Sequence, residues 1–93
     1  MLLLQLRIPG NQSLKGKRQV IKSVIARVHN RYNVSAAEVE NNDVWQTASL
    51  GVTCVSNSAR HAEDILRNVV AFIEADRLDI EVVDLAIEVT HAM

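Results

Sequence analysis

The sequence predicts an α+β domain with the element order βαββαβ. Three observations carry this. Two long stretches, from Ser13 to Tyr32 and from Ser58 to Asp76, repeat apolar residues with a helical period. Four shorter stretches alternate with a period of two. Turn formers separate them: Pro9-Gly10, Asn41-Asn42-Asp43 and Ser56-Asn57-Ser58. With 93 residues and no linker or repeat, residues 1–93 make a single domain with one modest core.

The first strand alternates Leu2, Leu4, Leu6 and Ile8 against Leu3, Gln5 and Arg7. Pro9-Gly10 ends it, Asn11-Gln12 continues the turn, and Ser13 is suited to cap a helix. Leu14, Ile21, Val24, Ile25, Val28 and Tyr32 then share one helix face, and the helix stops near Tyr32-Asn33. Val34 to Glu40 reads as a second strand with weak alternation. After the Asn41-Asn42-Asp43 turn, Ala48, Leu50, Val52 and Cys54 alternate with Ser49, Gly51, Thr53 and Val55 as the third strand. Ser56-Asn57-Ser58 caps a second helix with a clean stripe of Ala62, Ile65, Leu66, Val69, Val70 and Ile73. The last strand, Asp79 to Thr90, changes phase at Val82-Val83, which predicts a bulge or bend. Two βαβ halves with right-handed crossovers give a ferredoxin-like sandwich. Its four-stranded antiparallel sheet has the order 4-1-3-2, with both helices on one face.

No window reaches 18 consecutive apolar residues, so no membrane span is expected. The opening Met-Leu-Leu-Leu has no basic segment before it and is broken by Gln5 and Arg7, unlike a signal peptide. The one cysteine, Cys54, excludes an internal disulfide and fits a cytoplasmic location. Single Cys and scattered His29, His61 and His91 offer no metal spacing, and no metal or cofactor is expected. No nucleophile–base spacing supports catalysis, Cys54 falls on the inward phase of its strand, and no enzymatic activity is expected. Pro9-Gly10-Asn11-Gln12 lacks the glycines and arginine of a catalytic anion loop. The net charge is only −1, but it is unevenly spread. Residues 1–37 carry seven cations and no acid, +7; residues 38–93 carry three arginines against eleven acids, −8. Such asymmetry points either to an anionic partner or to mutual neutralisation of the two halves.

The sharpest feature is Ser13-Leu14-Lys15-Gly16-Lys17-Arg18. Lys15, Arg18 and Lys22 fall on one outward stripe, with His29 beyond, while Lys17 points towards the apolar side. A cation in a helix's first turn costs about 0.3–1 kcal/mol against the dipole. Gly16 costs about 1 kcal/mol relative to Ala. A bound phosphate would reverse these costs, and Gly16 would let it approach the backbone. The competing reading pairs Lys17 and Arg18 with Glu88 or Asp84 on the last strand, and a third leaves them solvated. Trp45, the sole tryptophan, either stacks on a base or covers the end of the core with its N–H bonded. Asn41, Asn42 and Asp43 read as turn formers, and Ser56, Asn57 and Ser58 as caps. RNA-binding domains that stack bases on such a sheet need aromatics in the first and third strands. Here those positions are Leu3, Gln5, Arg7, Ser49, Gly51, Thr53 and Val55.

"LRIPGNQSLKGKRQVIKSV", "RYNVSAAEV", "DVWQTASLGVTCVSN" and "LDIEVVDLAIEV" together resemble the YlxP-like family of small bacterial proteins. The resemblance implies a ferredoxin-like domain of unknown function. Family members are often encoded beside translation and ribosome-maturation factors, including ribosome-binding factor A, which implies a role near RNA or the ribosome. The family pattern falls on Arg7, Pro9, Gly10, Ser13, Leu14, Lys15, Lys17, Arg18, Trp45, Gln46, Ser56 and Asn57. Gly16 departs from it, standing where the family commonly has an acid that would complete a capping box with Ser13.

The expected function is that of a non-enzymatic accessory protein binding structured RNA or a ribosomal surface. Arg7, Lys15, Lys17, Arg18 and Lys22 would meet phosphates, with Arg27, Arg31 and Trp45 as further contacts. The alternative is a protein-interaction module, such as a homodimer formed through the open sheet face or an edge strand. Binding of a small anion at Gly10–Arg18 is a third reading.

Overall fold

The computed structural model describes residues 1–39, 44–76 and 79–90. It contains β1 (Leu2–Arg7), α1 (Leu14–Arg31), β2 (Ser35–Glu38), β3 (Thr47–Thr53), α2 (Ala59–Asp76) and β4 (Glu81–Ile87). The strands form one antiparallel sheet in the order β2-β3-β1-β4, the expected 4-1-3-2 read from the other edge. The second and fourth strands are shorter than expected from the alternation. Glu40 and the expected Asn41-Asn42-Asp43 turn lie outside the described residues.

Alternation decides which face of each strand is buried. Leu2, Leu4 and Leu6 of β1 and Ala48, Leu50 and Val52 of β3 pack against Ile21, Val24 and Val28 of α1 and Leu66, Val69, Val70 and Ile73 of α2. Both helices therefore cover one face. On the other face Leu3 and Gln5 are half-buried and Arg7 is exposed.

The phase change in the last strand is a bulge. Gln5 lies opposite Asp84 and Leu6 opposite Val82, so Val83 has no partner on β1. The extra residue keeps Val82 and Leu85 on the helix-covered face despite their odd spacing.

Both helix starts are capped by serine. Ser13 is extended (φ −156°, ψ 154°), and its Oγ accepts the Gly16 N–H at 2.9 Å. The helix is thus fully formed from Leu14 without the glutamate of a capping box. Ser58 Oγ accepts the His61 N–H at 3.3 Å, and Ser56 Oγ accepts the Ser58 N–H at 3.2 Å. The helices meet at their C-terminal halves. The Tyr32 and Phe72 rings stand edge to face at 5.8 Å, and Tyr32 Oη donates to the Asn68 carbonyl. Arg27 forks onto Asp76, with Nε at 2.5 Å from Oδ2 and Nη2 at 2.7 Å from Oδ1. Asp76 is the last residue of α2, where the helix dipole opposes an acid, and the guanidinium offsets that cost.

Candidate nucleic-acid interface

The β1–α1 segment starts at the turn after β1. Gly10 sits at φ +80°, in the left-handed region that glycine enters without steric cost. Asn11 follows and acts as a hub. Its Nδ2 donates to the Ser13 carbonyl at 2.9 Å and to the Trp45 carbonyl at 2.5 Å. Its own carbonyl accepts from Gln46 Nε2 at 3.4 Å. Its Oδ1 lies 2.4 Å from where a Cβ on Gly16 would stand. This corrects the expectation for Gly16: the space it opens over the backbone holds the Asn11 side chain, not an anion.

The cations separate into two groups. Lys17 is buried, with a side chain only 3% exposed, and its Nζ lies 3.2 Å from Glu38 Oε2 and 3.4 Å from the Val44 carbonyl. Glu38 can reach it because Glu38 is registered with Leu50 and so lies on the helix-covered face. The counter-charge for Lys17 is therefore internal. It sits on β2, not on the last strand as the pairing with Glu88 or Asp84 required. An enclosed ammonium cannot meet a phosphate at the surface, so Lys17 leaves the candidate set. Arg7 pairs loosely with Glu81 at 3.8 Å, both side chains being more than half exposed. Arg27 is held by Asp76, and the Arg31 guanidinium lies 5.1 Å from the centre of the Phe72 ring.

Lys15, Arg18 and Lys22 form the second group. All three are exposed and none has an ion-pair partner among the described residues. Arg18 does not pair with Asp84 or Glu88. The three follow one another at spacings of three and four residues, about 10 Å along the axis at 1.5 Å per residue. No acid lies in the first turn of α1.

Trp45 departs from the expectation that it closes the core. It is 51% exposed, and its indole N–H has no hydrogen-bond partner among the described residues. Val44, which precedes it in the chain, is exposed too.

A family model described as a protein of unknown function, DUF503, matches residues 1–87. The chain belongs to the DUF503 family. The match ends on the last residue of β4 and so takes in all six elements of the fold. The chain is also 44% identical over 63 residues to the "Uncharacterized protein YlxP" of Bacillus subtilis (strain 168), which covers 68% of each protein. Both names leave the activity open, so geometry has to carry the functional reading.

Elsewhere this DUF503 domain offers little chemistry. The open sheet face has no aromatic among its described residues, and Ser49 is buried there with its Oγ donating to Gln5 Oε1 at 2.6 Å. Cys54 is half-buried, its Sγ 3.7 Å from the Ala62 carbonyl. Among the described residues no three His, Cys, Asp or Glu side chains gather as a metal site, and no helix is long and apolar enough to cross a membrane. Three open hollows of about 460, 470 and 570 Å³ share the C-terminal ends of the helices, around Arg31 and either Phe72 or Asn33. Two of the three border the Arg27–Asp76 and Arg31–Phe72 contacts.

Two features lay beyond sequence reasoning. The role of Asn11 depends on residues 44–46 arriving beside it, and nothing local to Pro9–Gln12 announces that. The partner of Lys17 follows from the inward phase of Glu38, a residue of the strand with the weakest alternation.

Proposed function

We propose that the chain is a non-enzymatic, cytoplasmic accessory protein that associates with RNA or a ribosomal surface through the exposed face of α1. One observation carries the reading: Lys15, Arg18 and Lys22 line up on one solvent face with no ion-pair partner among the described residues. Two other cations of the same half are matched, the buried Lys17 by Glu38 and the exposed Arg27 by the largely buried Asp76. The three unmatched ones suit a row of phosphates, which fixes position and affinity without reading sequence. Arg7 stands near the same end and gains a phosphate easily, because its pairing with Glu81 is exposed and weak.

The test is salt-titrated binding of an RNA hairpin. Three phosphate contacts give a slope of log K against log salt of about −2 to −3. Replacing Lys15, Arg18 and Lys22 together by Ala should bring the slope close to zero. Absence of binding at low salt, or an unchanged slope in the triple variant, refutes the reading.

A second reading rests on edge strand β4, where Val83 is 55% and Leu85 42% exposed. Apolar residues on an open strand edge favour pairing with another chain, here a second copy. A mass in solution that rises with concentration supports it, and a strict monomer at all concentrations counts against it.

A further inference from the structure

We infer that Trp45 and the α1 cations form one continuous site for an unpaired stretch of RNA. A base stacks on the indole while the adjoining phosphates lie along Lys15, Arg18 and Lys22. This rests on the RNA reading above and narrows its ligand from structured RNA in general to single-stranded segments or loops.

The first support is that Trp45 is exposed yet held. Three consecutive main-chain carbonyls around it are each tied to the start of the molecule. The Val44 carbonyl accepts from Lys17 Nζ at 3.4 Å, that of Trp45 from Asn11 Nδ2 at 2.5 Å, and that of Gln46 from the Ile8 N–H at 2.7 Å. An aromatic ring on a tethered backbone is a preorganised platform, and little ordering is left to be done when a ligand arrives.

The second support is adjacency. A single side chain, Asn11, bonds both the Trp45 carbonyl and the Ser13 carbonyl that precedes the first turn of α1. Trp45 and the row that begins at Lys15 therefore share one end of the molecule. The combination of an accessible aromatic and a positively charged track is what single-strand binders use. A duplex keeps its bases stacked on one another and offers no free face to an indole. The sheet, which lacks an aromatic on its described open face, cannot supply the platform instead.

Trp45 is the only tryptophan in the chain, so intrinsic fluorescence reports on it alone. The probe is a mixed-sequence single-stranded RNA of about 12 nucleotides, a length within the range covered by single-strand sites. The control is the same strand annealed to its complement. The expected result is quenching of Trp45 by the single strand and weaker, unquenched binding of the duplex. Trp45→Ala should lower single-strand affinity about tenfold or more with the salt slope unchanged, and Trp45→Phe should recover most of it. Binding that still depends on Lys15, Arg18 and Lys22 but is indifferent to Trp45→Ala overturns this inference and leaves the α1 reading standing. So does an equal loss of single-strand and duplex affinity. If Trp45 emission shifts with protein concentration in the absence of RNA, a second copy covers the ring and the inference is wrong. Failure to bind either RNA at low salt overturns both readings.

Discussion

Replacing Glu38 by Gln tests the assignment of Lys17 most directly. The two charges of this pair are unequally enclosed: the Lys17 side chain is 3% exposed and that of Glu38 28%. Removing one partner of a buried ion pair costs about 3–5 kcal/mol, because the remaining charge stays without water. In Glu38→Gln the stranded charge is the enclosed ammonium. The Val44 carbonyl still accepts from it, which places the cost near the lower end, about 3 kcal/mol. In Lys17→Met the stranded charge is the carboxylate, which water reaches, and the methionine fills the space of the lysine stem. The cost there falls to about 1–2 kcal/mol. The double variant strands nothing and should resemble Lys17→Met, leaving a coupling of about 3 kcal/mol between the sites. Urea unfolding of the four proteins measures this, with the midpoint moving and the slope m constant. In a domain of this size about 3 kcal/mol corresponds to a fall in Tm of roughly 12–24 °C. If Glu38→Gln costs no more than Lys17→Met, or if the two changes add without coupling, Glu38 is not the counter-charge and the reasoning fails.

Gly16→Ala should destabilise the fold by about 1 kcal/mol despite alanine's higher helix propensity, because the new methyl displaces Asn11 from its two acceptors. The same change made in an Asn11→Ala background should stabilise, and thermal unfolding of the cycle shows whether the sign reverses. Asp76→Asn removes one oxygen of the Arg27 fork and should cost about 1–2 kcal/mol, read as a Tm lower by several degrees with RNA affinity unchanged. An unchanged Tm would mean that the fork does not fasten the two helices.

Much of the fold is legible because it rests on periodicity, which is a local property. The alternation of Leu2, Leu4 and Leu6 defines the buried face of β1, and the slip at Val82-Val83 locates the bulge to the residue. Ser13 and Ser58 are readable as caps for the same reason: the groups they satisfy lie three residues away. The site is less legible because its decisive contacts span the chain. Lys17 can be seen to point inward, but the acids its position suggests, Glu88 and Asp84, lie on the wrong strand, and its partner is Glu38. The pairing of Glu38 with Leu50, which brings its carboxylate to the helix-covered face, could be known only from the assembled sheet. Gly16 illustrates the opposite hazard. A glycine in a basic helix start suggests an approaching anion, yet the occupant is Asn11, five residues earlier, whose side chain is directed there by the Trp45 carbonyl. Trp45 itself carries no periodic signal, since it lies just before β3, and its exposure is decided by what happens to pack beside it.

The charge asymmetry now has a physical division. Where a charge is enclosed, leaving it unmatched is expensive, and the other half of the chain supplies its partner: Glu38 for the buried Lys17, and the exposed Arg27 for the largely buried Asp76. Internal neutralisation thus accounts for the enclosed charges, Lys17 and Asp76. It does not account for Lys15, Arg18 and Lys22. These three are solvated, so folding does not require them to be matched, but neither does it benefit from them. Lys15 opposes the dipole at the start of α1, at about 0.3–1 kcal/mol. The neighbours Lys15–Arg18 and Arg18–Lys22 repel at helix spacings, at about 0.2–0.5 kcal/mol for each pair. An acid at position 15 would relieve both effects, and one at 18 or 22 the repulsion, yet no acid occurs anywhere in residues 1–37. The arrangement is therefore mildly unfavourable to the isolated domain. Such a cost is compensated when an anion lies along the stripe, which is the condition the proposed RNA contact supplies.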